Sequence, residues 1–297
     1  MNILVSGSRG LVGSALVPAL EAGGHTVRRL VRGPAGNHDV SWDPDSGTID
    51  SPGLRGTEAV VHLAGESIGG RRWSEDQKAR IRDSRVRGTT LLAESLADLA
   101  TPPQVLVSGS AIGYYGDRGD EKLTEDSSPG ADFLANVCRR WEAATDPAEQ
   151  VGVRVVHVRT GIVLAAGGGS LQRQFQLFRL GLGGRLGSGR QYVSWISLDD
   201  EVGAICHLLE TATARGAHNL TSPEPVTNAE LTKTLGRVLR RPAVLPVPAI
   251  ALDIALGKGL ARTLALASQR VLPDRLVASG YKFRHPDLEG ALRDLSS

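Results

Sequence analysis

Short apolar runs alternate with amphipathic stretches through the first half of the chain. Residues 3–5, 26–31, 59–63, 105–107 and 153–158 read as strands, and residues 11–22, 74–99 and 131–144 as helices between them. The strands are apolar throughout rather than at every second position, which is the pattern of strands covered on both faces. Strands and helices alternating in this way predict an α/β fold: a Rossmann-like, doubly wound parallel sheet.

The pattern changes after residue 160. Residues 161–189 hold nine glycines and read as a mobile crossing strand and loop. A helix over 199–211 and a short strand over 217–220 follow. Prolines then punctuate helical segments at 228–239, 250–266 and 287–295. The expected organisation is a nucleotide-binding domain over 1–222, with 165–195 contributing to the substrate side. A smaller, mainly helical C-terminal lobe spans 223–297.

Composition narrows the function. A 41% hydrophobic content supports a proper core, and the chain carries 34 basic against 32 acidic residues with 4% aromatics. That balance argues against a nucleic-acid binder. No apolar run approaches the ~20 residues of a membrane span, and residues 2–6 lack the basic region of a signal peptide. The expectation is a cytoplasmic protein without a membrane partner. Two cysteines and histidines that never fall three or four apart predict no metal site.

Glycines number 36 of 297, about 12% against a usual ~7%, and three of them carry chemistry. The first strand runs directly into Gly7-Ser8-Arg9-Gly10-Leu11-Val12-Gly13, and a helix follows. In a G-x-x-G-x-x-G loop the first glycine allows the tight turn and the second lets backbone approach a pyrophosphate. The third lets helix and strand pack closely. The helix N-terminus then offers free N–H groups and a positive dipole end. The end of the second strand chooses the cofactor. An acid there would hold a ribose 2′-hydroxyl. This chain has Arg28, Arg29, Val31 and Arg32 instead, with no acid before Asp39. Arg32 and Arg9 suit a 2′-phosphate, so the expected cofactor is NADP(H).

The glycine loop, His62-Leu63-Ala64-Gly65 and Ser110-Ala-Ile-Gly-Tyr114-Tyr115-Gly116 resemble an extended short-chain dehydrogenase/reductase. More narrowly, the chain resembles the atypical "epimerase family protein" group, which is sugar-nucleotide epimerase-like. Val40-Ser-Trp42-Asp-Pro44, Arg71-Arg72-Trp73, Gly88-Thr89, Ser194-Trp195-Ile196 and Pro246-Val-Pro248 carry that narrower likeness, the last in a C-terminal domain of the group's own. The resemblance implies further cofactor contacts from Leu63, Ala64 and Gly65. It also implies contacts from Val163, in the turn that meets the nicotinamide carboxamide, and from Arg85. Arg85 stands where extended members have asparagine, and reads either as a phosphate contact or as a surface ion pair.

The resemblance further implies a catalytic serine, tyrosine and lysine, the last two four apart on one helix. That helix lacks them here. With Glu142 in the family's glutamate position, Leu134 and Cys138 fall where tyrosine and lysine belong. Ser110 is the candidate serine. Tyr114 and Tyr115 are candidate proton donors from an unusual position, or packing residues. Counting back four from Tyr114 reaches Ser110, and from Tyr115 reaches Ala111. Arg71, Arg72 and Trp73 are expected over the cleft, and Gln172, Arg173, Arg179, Arg185 and Arg190 are candidates to meet an anionic substrate. Trp195 reads as core. The leading expectation is an NADP(H)-dependent oxidoreductase or epimerase-like enzyme acting on a small polar, nucleotide-linked substrate. A non-catalytic NADP(H) sensor or interaction protein is the alternative. A homodimer is compatible with the superfamily.

Overall fold

The computed structural model describes residues 1–36, 38–165, 168 and 175–296. Eight strands form the central sheet: β1 (Asn2–Ser6), β2 (Thr26–Arg32), β3 (Val40–Asp43), β4 (Thr48–Ile49), β5 (Ala59–His62), β6 (Val105–Ala111), β7 (Arg154–Thr160) and β8 (Gly216–Leu220). Their order is β8-β7-β6-β5-β1-β2-β3-β4, all neighbours parallel except the terminal β3–β4 hairpin. The order reverses between β1 and β5, and that crevice beyond the strand C-termini is where open α/β sheets bind ligands. The doubly wound expectation holds.

The helices that bear on the site are α1 (Leu11–Ala22), α2 (Glu75–Ala97), α3 (Phe133–Ala143), α4 (Leu198–Glu210), α5 (Asn228–Leu239), α6 (Ala249–Leu256) and α7 (Leu288–Asp294). Their starts follow local chemistry. Ser74 caps α2, Asp132 caps α3 and Ser197 caps α4, each by accepting a backbone N–H three residues on. Thr227 and Glu230 form a reciprocal capping box on α5. Two apolar layers cover the sheet. Ile3, Val5, Val61 and Val107 face α1 and α4, while Leu4, Val60 and Leu106 face α2. Both faces are thus buried, which is why the strands are apolar throughout.

Two elements depart from the expected pattern. Residues 40–49 form a hairpin that extends the sheet edge, with Trp42 buried. The expected helix over 250–266 breaks at Gly257 (φ 88°); α6 stops there and an irregular turn follows. Segment 190–197 re-enters the fold in two pieces. Tyr192–Val193 pairs antiparallel with Val226–Thr227, and Trp195–Ser197 pairs parallel with Ile162–Leu164. Trp195 is fully buried, as read from the sequence. The crossing segment expected at 161–189 lies partly outside the described residues. In the C-terminal portion Arg270–Val271 pairs parallel with Lys122–Leu123 from the segment after β6, as a separate two-stranded sheet. Asn219 Nδ2 also donates to the Leu272 carbonyl at 2.9 Å.

Candidate cofactor cleft and active site

The glycine loop is built by close backbone approach. Gly7 has φ +68°, and a Cβ there would lie 2.7 Å from the Leu63 carbonyl carbon. A Cβ on Gly13 would lie 2.2 Å from the Gly7 carbonyl oxygen. Gly10 starts α1 without any side-chain cap. The first N–H groups of α1 therefore remain directed at the loop, an arrangement that suits phosphate oxygens.

A cleft of about 350 Å³ opens over this loop, lined by Gly7, Ser8, Arg9 and Gly10, by Leu30, Val31, Arg32 and Trp42, and by Leu63, Ala64, Gly65 and Glu66. Nine residues that the sequence offers as cofactor contacts thus meet in one place. Arg32 and Trp42 continue into an adjoining pocket floored by the β3–β4 hairpin. Arg28 is occupied elsewhere. Its guanidinium donates to the Gly53 carbonyl at 2.6 Å and to Thr57 Oγ1 at 2.6 Å. Asp39 accepts the Arg29 backbone N–H. The exposed ends of Arg9 and Arg32 are therefore the cations that the loop and β2 contribute to the cleft.

A buried relay holds the far wall. Ser6 Oγ accepts the N–H groups of Leu63 and Ala64 at 3.1 and 3.2 Å, which uses both its lone pairs. Its own proton must then go to His62 Nδ1, 2.7 Å away, and His62 Nε2–H donates to Thr89 Oγ1 at 3.0 Å. Burial lowers the His62 pKa to about 4, so the ring is neutral at pH 7 and serves as a fixed strut. Nothing local in the sequence announces this relay, whose members stand 56 and 27 residues apart.

The remaining candidates lie elsewhere. Arg85 is neither a surface ion pair nor an open phosphate ligand. It is buried beneath Gly65, donates to the Glu66 and Ile81 carbonyls at 2.9 and 3.1 Å, and stacks 5.0 Å from the Trp141 ring. Burial lowers its pKa below the ordinary arginine value. Leu11 faces a different opening, with Ser14, Ala165 and Asp199. Val12 and Val163 pack against the core of the sheet. Arg72 donates to the Ile254 and Ala255 carbonyls and Trp73 meets Phe133 edge-on, so the loop after β5 is joined to the end of α6 by the first and to the start of α3 by the second. Gln172 and Arg173 lie outside the described residues.

A second polar group sits at the C-terminal ends of β6 and β7. Ser110 Oγ donates to Glu142 Oε1 at 2.6 Å, and Arg159 grips both oxygens of Glu142 at 2.8 and 2.9 Å. Burial opposes the Glu142 charge, but the Arg159 guanidinium outweighs it and keeps the carboxyl below its ordinary value. Tyr115 is fully buried, donates to Asn219 Oδ1 at 2.7 Å and accepts from Arg159 at 3.0 Å. Burial pushes its phenol up to about 12. Tyr114 is half-buried, lies face-on to Arg159 at 3.4 Å, and its hydroxyl has no partner among the described residues. Cys138 is buried and its thiol is pushed up to about 12 by burial; Leu134 is buried beside Gly113. Sequence reasoning named Ser110, Tyr114 and Tyr115 but missed Arg159, which meets both tyrosines and holds the Glu142 that Ser110 bonds.

Residues 3–220 match the NAD dependent epimerase/dehydratase family, and residues 247–295 match a domain of unknown function (DUF1731). The chain is 46% identical to epimerase family protein Mb2239 of Mycobacterium bovis, over 98% of this chain and 96% of that one. It superposes on the crystal structure of human epimerase family protein SDR39U1 with NADPH at a TM-score of 0.91, with 36% identity, covering 100% of this chain and 99% of that chain. It also resembles a nucleoside-diphosphate sugar epimerase from Corynebacterium glutamicum, with TM-score 0.81 and 40% identity, over 98% of this chain and 57% of that chain. The chain belongs to the NAD dependent epimerase/dehydratase family and has the extended short-chain dehydrogenase/reductase fold.

Proposed function

We propose that this protein binds NADP(H) in the cleft over the glycine loop and catalyses hydride transfer on a small polar substrate. Nucleotide sugars are the first class to test. The observation that carries the reading is the pairing of an uncapped α1 N-terminus with Arg9 and Arg32 in one cleft. The human relative solved with NADPH supports the same choice. The residues present fit the group. Gly7 and Gly13 let the loop backbone pack tightly against Leu63 and the start of α1; the α1 N–H groups would hold the pyrophosphate and a guanidinium the 2′-phosphate. When bound, NADP(H) supplies or accepts the hydride.

The chain's own residues handle the oxygen of the substrate. Ser110 donates its O–H to Glu142, so the hydroxyl has a lone pair left with which to accept a hydrogen bond from a substrate alcohol. Arg159 holds Glu142 ionised and thereby holds Ser110 in that orientation. Tyr114 carries the free phenol that can deliver a proton. One observation favours a non-catalytic NADP(H) sensor instead: apolar Leu134 and the inert thiol of Cys138 occupy the expected tyrosine and lysine positions.

NADPH consumption across a panel of aldehydes, ketones and nucleotide sugars separates the two. Turnover that is lost in Ser110→Ala or Tyr114→Phe supports catalysis. Tight binding without turnover on any substrate supports the sensor. Arg32→Asp should weaken NADPH about tenfold or more while sparing NADH; equal weakening of both overturns the 2′-phosphate assignment.

A further inference from the structure

A second basic opening lies in the C-terminal part of the chain and shares no lining residue with the cofactor cleft. It is a groove of about 640 Å³ between α5 and the chain that doubles back over residues 240–246. Lys233 and Arg237 stand four residues apart on one face of α5, and Arg240 follows at its C-terminal cap. Arg241 joins them from the turn, and Arg185 reaches in from the facing segment, its side chain passing close over Gly189. Five cations line the groove and no acid does. Glu289 bridges Arg237 from outside the lining and is shared with Arg293.

Two ordinary explanations fall short. Cations near a helix C-terminus complement its dipole, but Arg185 and Arg241 lie outside the helix. The second concerns Arg240, which ends α5 at φ 53°, ψ 44°, the only non-glycine with positive φ among the described residues. That left-handed position is where glycine is cheapest. A guanidinium is kept there against the backbone preference, and its side chain faces the groove.

We propose that this groove is a second anion site, which takes a ligand carrying two or three linked phosphates. Its volume falls in the small-molecule range. Arginine forks match phosphate oxygens in pairs, and several close together select linked phosphates over a single one. Val244 and Pro246 give the groove an apolar wall on which a base can rest. A nucleic acid strand is a poorer fit, because no aromatic residue lines the groove to stack bases.

The test is calorimetric titration of the full chain, saturated with NADPH, with inorganic pyrophosphate as probe. Binding with a Kd below about 1 mM is expected, weakening about fivefold to tenfold in Arg240→Gly and in Arg241→Ala. Arg240→Gly is the sharper variant, since glycine suits that backbone and its melting temperature should rise as binding falls. Arg32→Asp should leave pyrophosphate binding intact. Tighter binding of ADP than of pyrophosphate identifies a nucleotide, and equal binding an inorganic polyphosphate; either supports the site. Orthophosphate binding as tightly as pyrophosphate overturns the proposal. So does pyrophosphate binding that is lost in Arg32→Asp, unchanged in both groove variants, or undetectable at 10 mM, on the order of the weakest useful affinity.

Discussion

Glu201→Gln tests how heavily a buried carboxyl weighs on this fold. Glu201 projects from the first turn of α4 and is 1% exposed. Its Oε1 accepts the Thr160 hydroxyl at 2.6 Å, while Oε2 has no hydrogen-bond partner among the described residues. Burial, opposed by the Thr160 hydrogen bond, pushes the carboxyl from its ordinary 4.5 up to about 8. Between those values the folded chain holds a proton that the unfolded chain has released. Stability therefore falls as pH rises across that window and levels off above it. At pH 7 the burden is on the order of 3 kcal/mol. Glutamine keeps an acceptor for Thr160 and removes the ionisation, but its amide N–H₂ inherits the unpartnered place of Oε2, which returns part of the gain. The net expectation is a stabilisation of about 1–2 kcal/mol at neutral pH, which reverses sign below about pH 6 because the amide cost does not vary with pH while the ionisation burden fades. Urea denaturation of both proteins, followed by circular dichroism across this range, measures it. A difference that does not vary with pH, or a variant that is less stable at pH 8 than the parent, would refute the reasoning.

Three further outcomes follow from the same geometry. Gly13→Ala puts a methyl against the Gly7 carbonyl and should lower stability by about 2–4 kcal/mol while abolishing NADPH binding; thermal melts with and without NADPH report both. Arg159→Met strands Glu142 in a mostly buried site and should destabilise by about 3–5 kcal/mol, with Glu142→Gln in the same chain restoring part of it; a double-mutant cycle in urea gives the coupling. Asp200→Asn replaces a fully buried carboxylate that accepts the backbone N–H groups of Arg284 and His285 and the hydroxyl of Ser197. The amide turns a donor towards one of those donors, so a loss of about 2–3 kcal/mol is expected in chemical denaturation.

Features that depend on local backbone chemistry could be read from the chain alone. The bounds 11–22 and 228–239 emerge unchanged because Gly10 and the Thr227–Glu230 box mark where those helices start. The glycine loop is visible for the same reason: its spacing encodes backbone contacts. The hairpin at 40–49 was not visible, since four residues between turn-formers show no period. The run at 250–266 hid its break because it is apolar almost throughout, and apolarity does not register the φ of Gly257. Site residues separate along the same line. Arg9 and Arg32 flank the cleft because the loop and β2 deliver them there. Arg85 is one turn from Gly88 and Thr89, yet its burial under Gly65 depends on Trp141, 56 positions away in sequence. Trp42 reaches the cleft only because Gly88 leaves room for its ring on α2. Contacts of that reach have no signature in periodicity.

Removing the usual tyrosine and lysine does more than delete two groups, because it changes which protons around Ser110 can move. A lysine at position 138 would bring a cation on α3; a buried cysteine with its thiol near 12 carries no charge at neutral pH. The positive charge of this region is supplied by Arg159 instead, from the sheet rather than from α3. Arg159 orders its neighbours. It fixes Glu142 as an anion, fixes Tyr115 as a neutral phenol turned to Asn219, and lies flat against Tyr114. Ser110 is then oriented as an acceptor, and Tyr115 has no proton to release near pH 7. On the catalytic reading proposed above, a proton delivered to a substrate oxygen comes from Tyr114 or from solvent, because Tyr115 and Ser110 are both already committed as donors. Held as an acceptor, Ser110 suits the alcohol form of such a substrate better than its carbonyl form.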